Sequence, residues 1–131
     1  MKYVYPGIFT LLENDEYDVR IPDLPGCITC GESLAQAIEM ASDAASMWLC
    51  DSEENNEEIP PPSSIADVKV SQGQFVSLIL ADTDDYRKRF HNKAVKKTLS
   101  IPSWLNSKAE KENINFSKVL QDALKEKLSI F

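Results

Sequence analysis

The run from Val95 to Ile101 alternates polar and apolar side chains and then stops at Pro102. In a strand, successive side chains point to opposite faces, so Lys96, Thr98 and Ser100 share one face and Lys97, Leu99 and Ile101 the other. A ribbon this short, with one apolar face, is not stable alone. It therefore requires a partner strand, and the simplest is the same strand from a second copy, paired antiparallel about a two-fold axis. Leu99 and Ile101 then face the dimer core, while Lys96, Thr98 and Ser100 form a polar, basic face.

The residues after the strand fit that requirement. Pro102 sets a first helical turn, with Ser103 as cap of a helix carrying Trp104, Leu105 and Ala109. Asn113 to Asn115 breaks it. A second helix then places Phe116, Val119, Leu120, Ala123, Leu124 and Leu128 on one stripe. Asn115 is its natural cap, and free backbone N–H groups at Phe116, Ser117 and Lys118 make a phosphate site. Strand, helix, helix at this spacing, with T-L-S-I-P as the most telling run, resembles the ribbon-helix-helix DNA-binding fold. The resemblance implies a ribbon in the major groove, with Lys96, Thr98 and Ser100 reading base edges. Lys93, Lys97 and Lys118, with the helix start at Asn115, would contact phosphates. Leu99, Ile101, Trp104, Leu105, Val119, Leu120 and Leu124 would make the dimer core. The plainer alternative is a helical hairpin used only for dimerisation.

Charge divides the chain sharply. Residues 1–81 carry three basic side chains against fourteen acids, a net −11, and residues 82–86 add three more acids. Residues 87–131 carry eleven basic side chains against four acids, a net +7. DNA repels such a body and attracts such a tail. With 131 residues the chain holds one small domain plus an appended module. Three cysteines do not suggest a disulfide framework. No apolar run reaches membrane-spanning length and the first residues lack a signal-peptide core, so a cytoplasmic protein is expected.

The body reads as small antiparallel α+β. Met1–Glu13 is a strand that Pro6-Gly7 interrupts, suiting an edge position or a bulge. Asn14 to Glu16 turns it into a returning strand, Tyr17–Ile21. Pro22 to Gly26 is a rigid turn, and Cys27 to Cys30 a third strand ending at Gly31. Ser33 caps the longest helix, whose Leu34, Ile38, Ala41, Ala45 and Trp48, flanked by Leu49, are expected to pack on the sheet. Asp51 to Glu58 reads as a frayed helix end or loop, and Pro60 to Pro62 breaks any helix. Phe75 to Ala81 is almost wholly apolar, which suggests a strand covered on both faces or running through the centre of the sheet. Residues 82–92 are the linker, a short helix or a tether, and residues 93–131 the tail domain.

No constellation in the sequence points to catalysis. Cys27-x-x-Cys30 lacks two further zinc ligands, since Cys50 and His91 lie in different parts of the chain. The pair sits in an apolar strand, not at a helix start that would activate a thiol. The acids Asp23, Glu32, Glu39, Asp43 and Asp51 do not suggest the convergence a two-metal nuclease needs. No catalytic residue, metal or cofactor is expected. The acidic surface of residues 1–81 instead complements a basic partner protein.

The Y-P-G-I-F hairpin, P-D-L-P-G-C (Pro22 to Cys27) and G-E-S-L-A-Q-A (Gly31 to Ala37) are together similar to the HicB family of antitoxins. That resemblance implies a reduced RNase H-like body without nuclease activity and a DNA-binding tail, here of the ribbon-helix-helix type. It also implies a HicA-type toxin partner, a small basic RNA-cleaving protein, and repression of the shared operon by a homodimer, with a higher oligomer open. The toxin contacts are expected on the acidic face of residues 1–81, with no individual residues assigned. The runner-up is a ribbon-helix-helix regulator whose body senses a small ligand, without a toxin partner.

Overall fold

The computed structural model describes residues 1–130, which fall into two compact units, Met1–Lys93 and a second from Ala94 onward. The first unit is a four-stranded antiparallel sheet with helices on one face. Its strands are β1 (Lys2–Leu11), β2 (Tyr17–Arg20), β3 (Ile28–Gly31) and β4 (Gln74–Asp82), in the order β3-β2-β1-β4. The β1–β2 turn takes Asp15 to φ 62°, and the Asn14 side chain accepts from the Glu16 N–H. Pro6 lies in a central strand, yet β2 reaches only as far as Ile8 opposite Arg20. At Pro6, β1 therefore has a neighbour on the β4 side alone, which is how the sheet tolerates a residue without a donor.

The Pro22 to Cys27 turn is locked from several directions. Leu24 N–H donates to the Ile21 carbonyl, and Cys27 N–H to the Leu24 carbonyl, with Leu24 fully buried. Gly26 takes φ +80°, a conformation that costs glycine nothing. Asp23 accepts from both the N–H and hydroxyl of Ser63, and the Trp48 indole donates to the Pro25 carbonyl at 3.0 Å. The motif is thus a structural clamp between the sheet, the long helix and the proline-rich loop.

Helix α1 (Leu34–Glu54) starts at Ser33, whose side chain accepts from the Gln36 N–H at 3.1 Å. It buries Ala37, Ala41, Ala45 and Leu49, one turn apart, against Tyr5, Phe9, Val19, Ile21 and Ile79. Of the face expected to pack on the sheet, Ala41, Ala45 and Leu49 are buried and Trp48 packs against the core, but Leu34 and Ile38 are exposed. The alanine stripe lets the helix axis approach the sheet, and the longer side chains are left on its flank. Burying Leu49 contributes about 1.5–3 kcal/mol. The helix reaches Glu54, within the segment expected as a helix end or loop.

One expectation about the body needs correction. Strand β4 is an edge strand, not a doubly covered one: Leu78 and Leu80 are 57% and 52% exposed. Its apolar continuity reflects a core face, with Ile79 and Ala81 buried, backed by an open face that continues across β1 through Val4. Residues 82–92, expected as a linker in the form of a short helix or a tether, contain helix α2 (Thr83–Phe90), which belongs to the first unit. Asp82 caps it by accepting from the Asp85 N–H. Buried Thr83 donates to the Glu53 carboxylate at 2.8 Å, and Arg89 pairs with Asp43 at 2.8 Å. Charge, not apolar burial, docks α2 on α1.

The second unit contains α3 (Ser103–Lys111) and α4 (Phe116–Lys127). Pro102 occupies the cap position of α3 with no side-chain bond, so Ser103 is its first helical residue and not its cap. Asn115 caps α4 by accepting from the Lys118 N–H at 3.1 Å. Residues 93–102 form no strand in the single chain. The strand expected over Val95 to Ile101 is thus not formed: a run this short, with no neighbouring strand to complete its ladder, yields no regular element.

Candidate functional site

The second unit exposes its apolar side chains to an unusual degree. Among the described residues neither α3 nor α4 has a buried side chain. Leu99 and Trp104 are 64% and 63% exposed, and Ile101, Leu105, Val119 and Leu124 are exposed too; Leu120 is half-buried. Leu99, Ile101, Phe116, Val119, Leu120 and Ala123 line a groove of about 500 Å³, with Lys97, Asn106 and Ser117 at its polar margin. A contiguous apolar surface of this kind on a small unit marks an interaction site. All seven residues predicted as dimer core belong to this unit, and Leu99, Ile101, Val119 and Leu120 of them line the groove.

The predicted DNA-contacting residues are also exposed. Lys96, Thr98 and Ser100 lie on the segment before Pro102, and Lys93 and Lys97 beside them. At the start of α4 the structure narrows the expected phosphate site. The Lys118 N–H is already satisfied by Asn115, leaving Phe116 and Ser117 as the outward donors of that turn. The Lys118 ammonium pairs with Asp122 at 3.0 Å. Counted over the two structural units, the charges are −10 for residues 1–93 and +3 for residues 94–131. The tail is thus less basic than the sequence halves suggest, because Arg87, Lys88, Arg89 and Lys93 belong to the body unit.

In the body, several acids are engaged in holding the fold. Glu53 holds Thr83 and Arg87, Asp43 holds Arg89, and Asp23 holds Ser63. The exposed acids Glu13, Asp15 and Asp18 gather around the β1–β2 turn, and Glu57 and Glu58 follow α1. Burial pushes the Cys27 and Cys50 thiols above their ordinary range, the opposite of an activated nucleophile. Cys30 is exposed. Separation along the chain misleads in one respect: folding of α2 brings His91 to Cys50 and Glu54, the one grouping of three metal-ligating side chains among the described residues.

The geometry defines a two-unit protein in which a sheet-and-helix body precedes a helical module with an unsatisfied apolar surface. Among the described residues no helix is long and apolar enough to cross a membrane. A family model described as the HicB-like antitoxin of bacterial toxin–antitoxin systems matches residues 5–128. A chain of a toxin–antitoxin complex from Streptococcus pneumoniae is similar over 97% of this chain and 99% of its own length, at 28% identity and TM-score 0.64. The antitoxin HicB of Burkholderia pseudomallei shares the fold over 96% and 98% of the two chains, at 21% identity and TM-score 0.54. An uncharacterized 14.9 kDa protein from the rep–hol intergenic region of Haemophilus phage HP1 is 30% identical over 92 residues, 70% of this chain and 68% of its own. The chain belongs to the HicB-like antitoxin family.

Proposed function

We propose that the body binds and neutralises a HicA-type RNA-cleaving toxin in the cytoplasm. In the same proposal the tail dimerises as a ribbon-helix-helix module and binds operator DNA to repress the shared operon. The observation that carries this reading is the coincidence of charge with structure: the unit with net −10 is the folded sheet domain, and the unit with net +3 bears the open apolar groove. An acidic body favours a basic protein partner and disfavours nucleic acid. Pairing two Val95–Ile101 segments supplies each ribbon with the ladder it lacks alone and covers Leu99 and Ile101. The three-strand meander followed by a crossing helix supports reading the body as a reduced RNase H-like fold, non-catalytic because acids such as Asp23, Asp43 and Glu53 are engaged in structural contacts.

In a dimer, Lys93, Lys97 and Lys118 give about six phosphate contacts, so the operator affinity should fall with salt at a log–log slope of about −5. Lys96→Ala should weaken operator binding by about 1–3 kcal/mol for each base hydrogen-bonding pair removed, measured by fluorescence anisotropy, while toxin inhibition stays at the parent level. Loss of both activities together in a folded Lys96→Ala variant would contradict the division of labour between the units.

A further inference from the structure

We propose that Cys50, Glu54 and His91 form a divalent-metal site, suited to zinc, that clasps α2 to the C-terminal end of α1. Cys50 and Glu54 are one turn apart on α1 and so share a face. His91 is the C-cap residue of α2, and its backbone N–H donates to the Arg87 carbonyl at 2.7 Å, which fixes where the ring emerges. One donor atom from each, the Cys50 sulfur, a Glu54 carboxylate oxygen and a His91 ring nitrogen, all lie within 4.8 Å of one another. The carboxylate oxygen is 3.6 Å from the sulfur and 3.6 Å from the imidazole nitrogen. In tetrahedral zinc, with bonds of about 2.0–2.3 Å, neighbouring donor atoms are roughly 3.3–3.7 Å apart. The ligands are therefore close to a binding arrangement before any ion arrives.

The donor set selects the metal. One thiolate, one imidazole and one carboxylate suit zinc, whereas magnesium and calcium prefer oxygen alone. Three protein ligands leave a fourth position for water. Cys50 forms the buried floor, while Glu54 and His91 are about half exposed and form the mouth through which an ion enters. Arg87 is the competitor, with Nε 3.6 Å from Glu54 Oε1. It also reaches Glu53 through Nη1 at 3.4 Å, so it keeps a carboxylate partner when Glu54 turns to the metal. On binding, the Cys50 S–H bond breaks, the sulfur lone pair goes to the metal and the proton is released to solvent. The site does not depend on the toxin or operator reading.

Cobalt(II) added to the full-length chain tests this directly. One equivalent should produce a thiolate-to-cobalt charge-transfer band together with the visible bands of tetrahedral coordination, and zinc should displace both. Cys50→Ser should abolish the charge-transfer band, and His91→Ala, at an exposed position that the fold does not need, should weaken zinc binding at least about tenfold by calorimetry, as loss of a direct ligand requires. A parent chain that gives no charge-transfer band with one equivalent overturns the proposal. So does a band of equal strength in Cys50→Ser, which assigns the metal to Cys27 or Cys30, or zinc affinity unchanged by His91→Ala.

Discussion

Replacing Gly31 with alanine should unfold the body more than any other single methyl group added to it. A Cβ on Gly31 would stand 2.6 Å from Ala37 Cα and 2.9 Å from Gln36 C, and closer still to the Ala37 nitrogen. These are backbone atoms in the first turn of α1, so no side chain can swing aside. Relief requires moving the helix off the sheet, and the Ala37, Ala41, Ala45 and Leu49 stripe is what seats it there. Overpacking of this kind costs about 1–3 kcal/mol and occasionally more, and the rigidity of the obstacle places Gly31→Ala at about 3 kcal/mol or above. Thermal unfolding followed by circular dichroism should show a midpoint lowered by about 10 °C or more. An unchanged midpoint would mean that the strand end and helix start are not packed as described. The glycine of the G-E-S-L run is thus explained by close approach and not by a turn.

Leu99→Asp should abolish operator binding while leaving the body intact. In the proposed ribbon, Leu99 faces its own dimer partner, so a single substitution introduces two carboxylates into one apolar interface. An unpaired buried carboxylate costs several kcal/mol, and the exposed position of Leu99 in the single chain means the monomer loses nothing comparable. Operator affinity should drop by at least about 100-fold, equivalent to about 2.7 kcal/mol. Light scattering should show a matching loss of the tail-mediated dimer, with the unfolding midpoint of the body unchanged. Operator binding within twofold of the parent would remove Leu99 from the interface.

How far the sequence discloses this architecture varies with the kind of force involved. Turn chemistry and caps are local, so the Asn14 to Glu16 turn, the Pro22 to Gly26 turn, Ser33 and Asn115 follow from residue type. The buried face of α1 follows the expected spacing through Ala41, Ala45 and Leu49, but Leu34 and Ile38 miss, because a helix seated through alanines carries bulkier apolar side chains on its flank, where hydrophobicity misleads. Strand β4 departs from expectation because an apolar run does not distinguish a doubly covered strand from one with an exposed face. Helix α2 resembles a tether because its docking relies on Arg87 and Arg89 finding acids more than thirty residues earlier, a pairing with no local signature. The same fold-back unites Cys50 with His91 across forty-one positions. In the tail, the alternation of Val95 to Ile101 predicts a strand that the single chain does not form, because periodicity reports which side chains share a face and not whether a neighbouring strand is there to pair.

The proposal that this chain blocks a toxin ribonuclease is tested most directly by the cleavage of RNA by the HicA-type protein it is proposed to bind, with and without the full-length chain. The account predicts that cleavage stops near stoichiometric addition and that the two proteins co-elute as one complex. Undiminished cleavage with the chain in molar excess, together with separate elution of the two proteins, would contradict it.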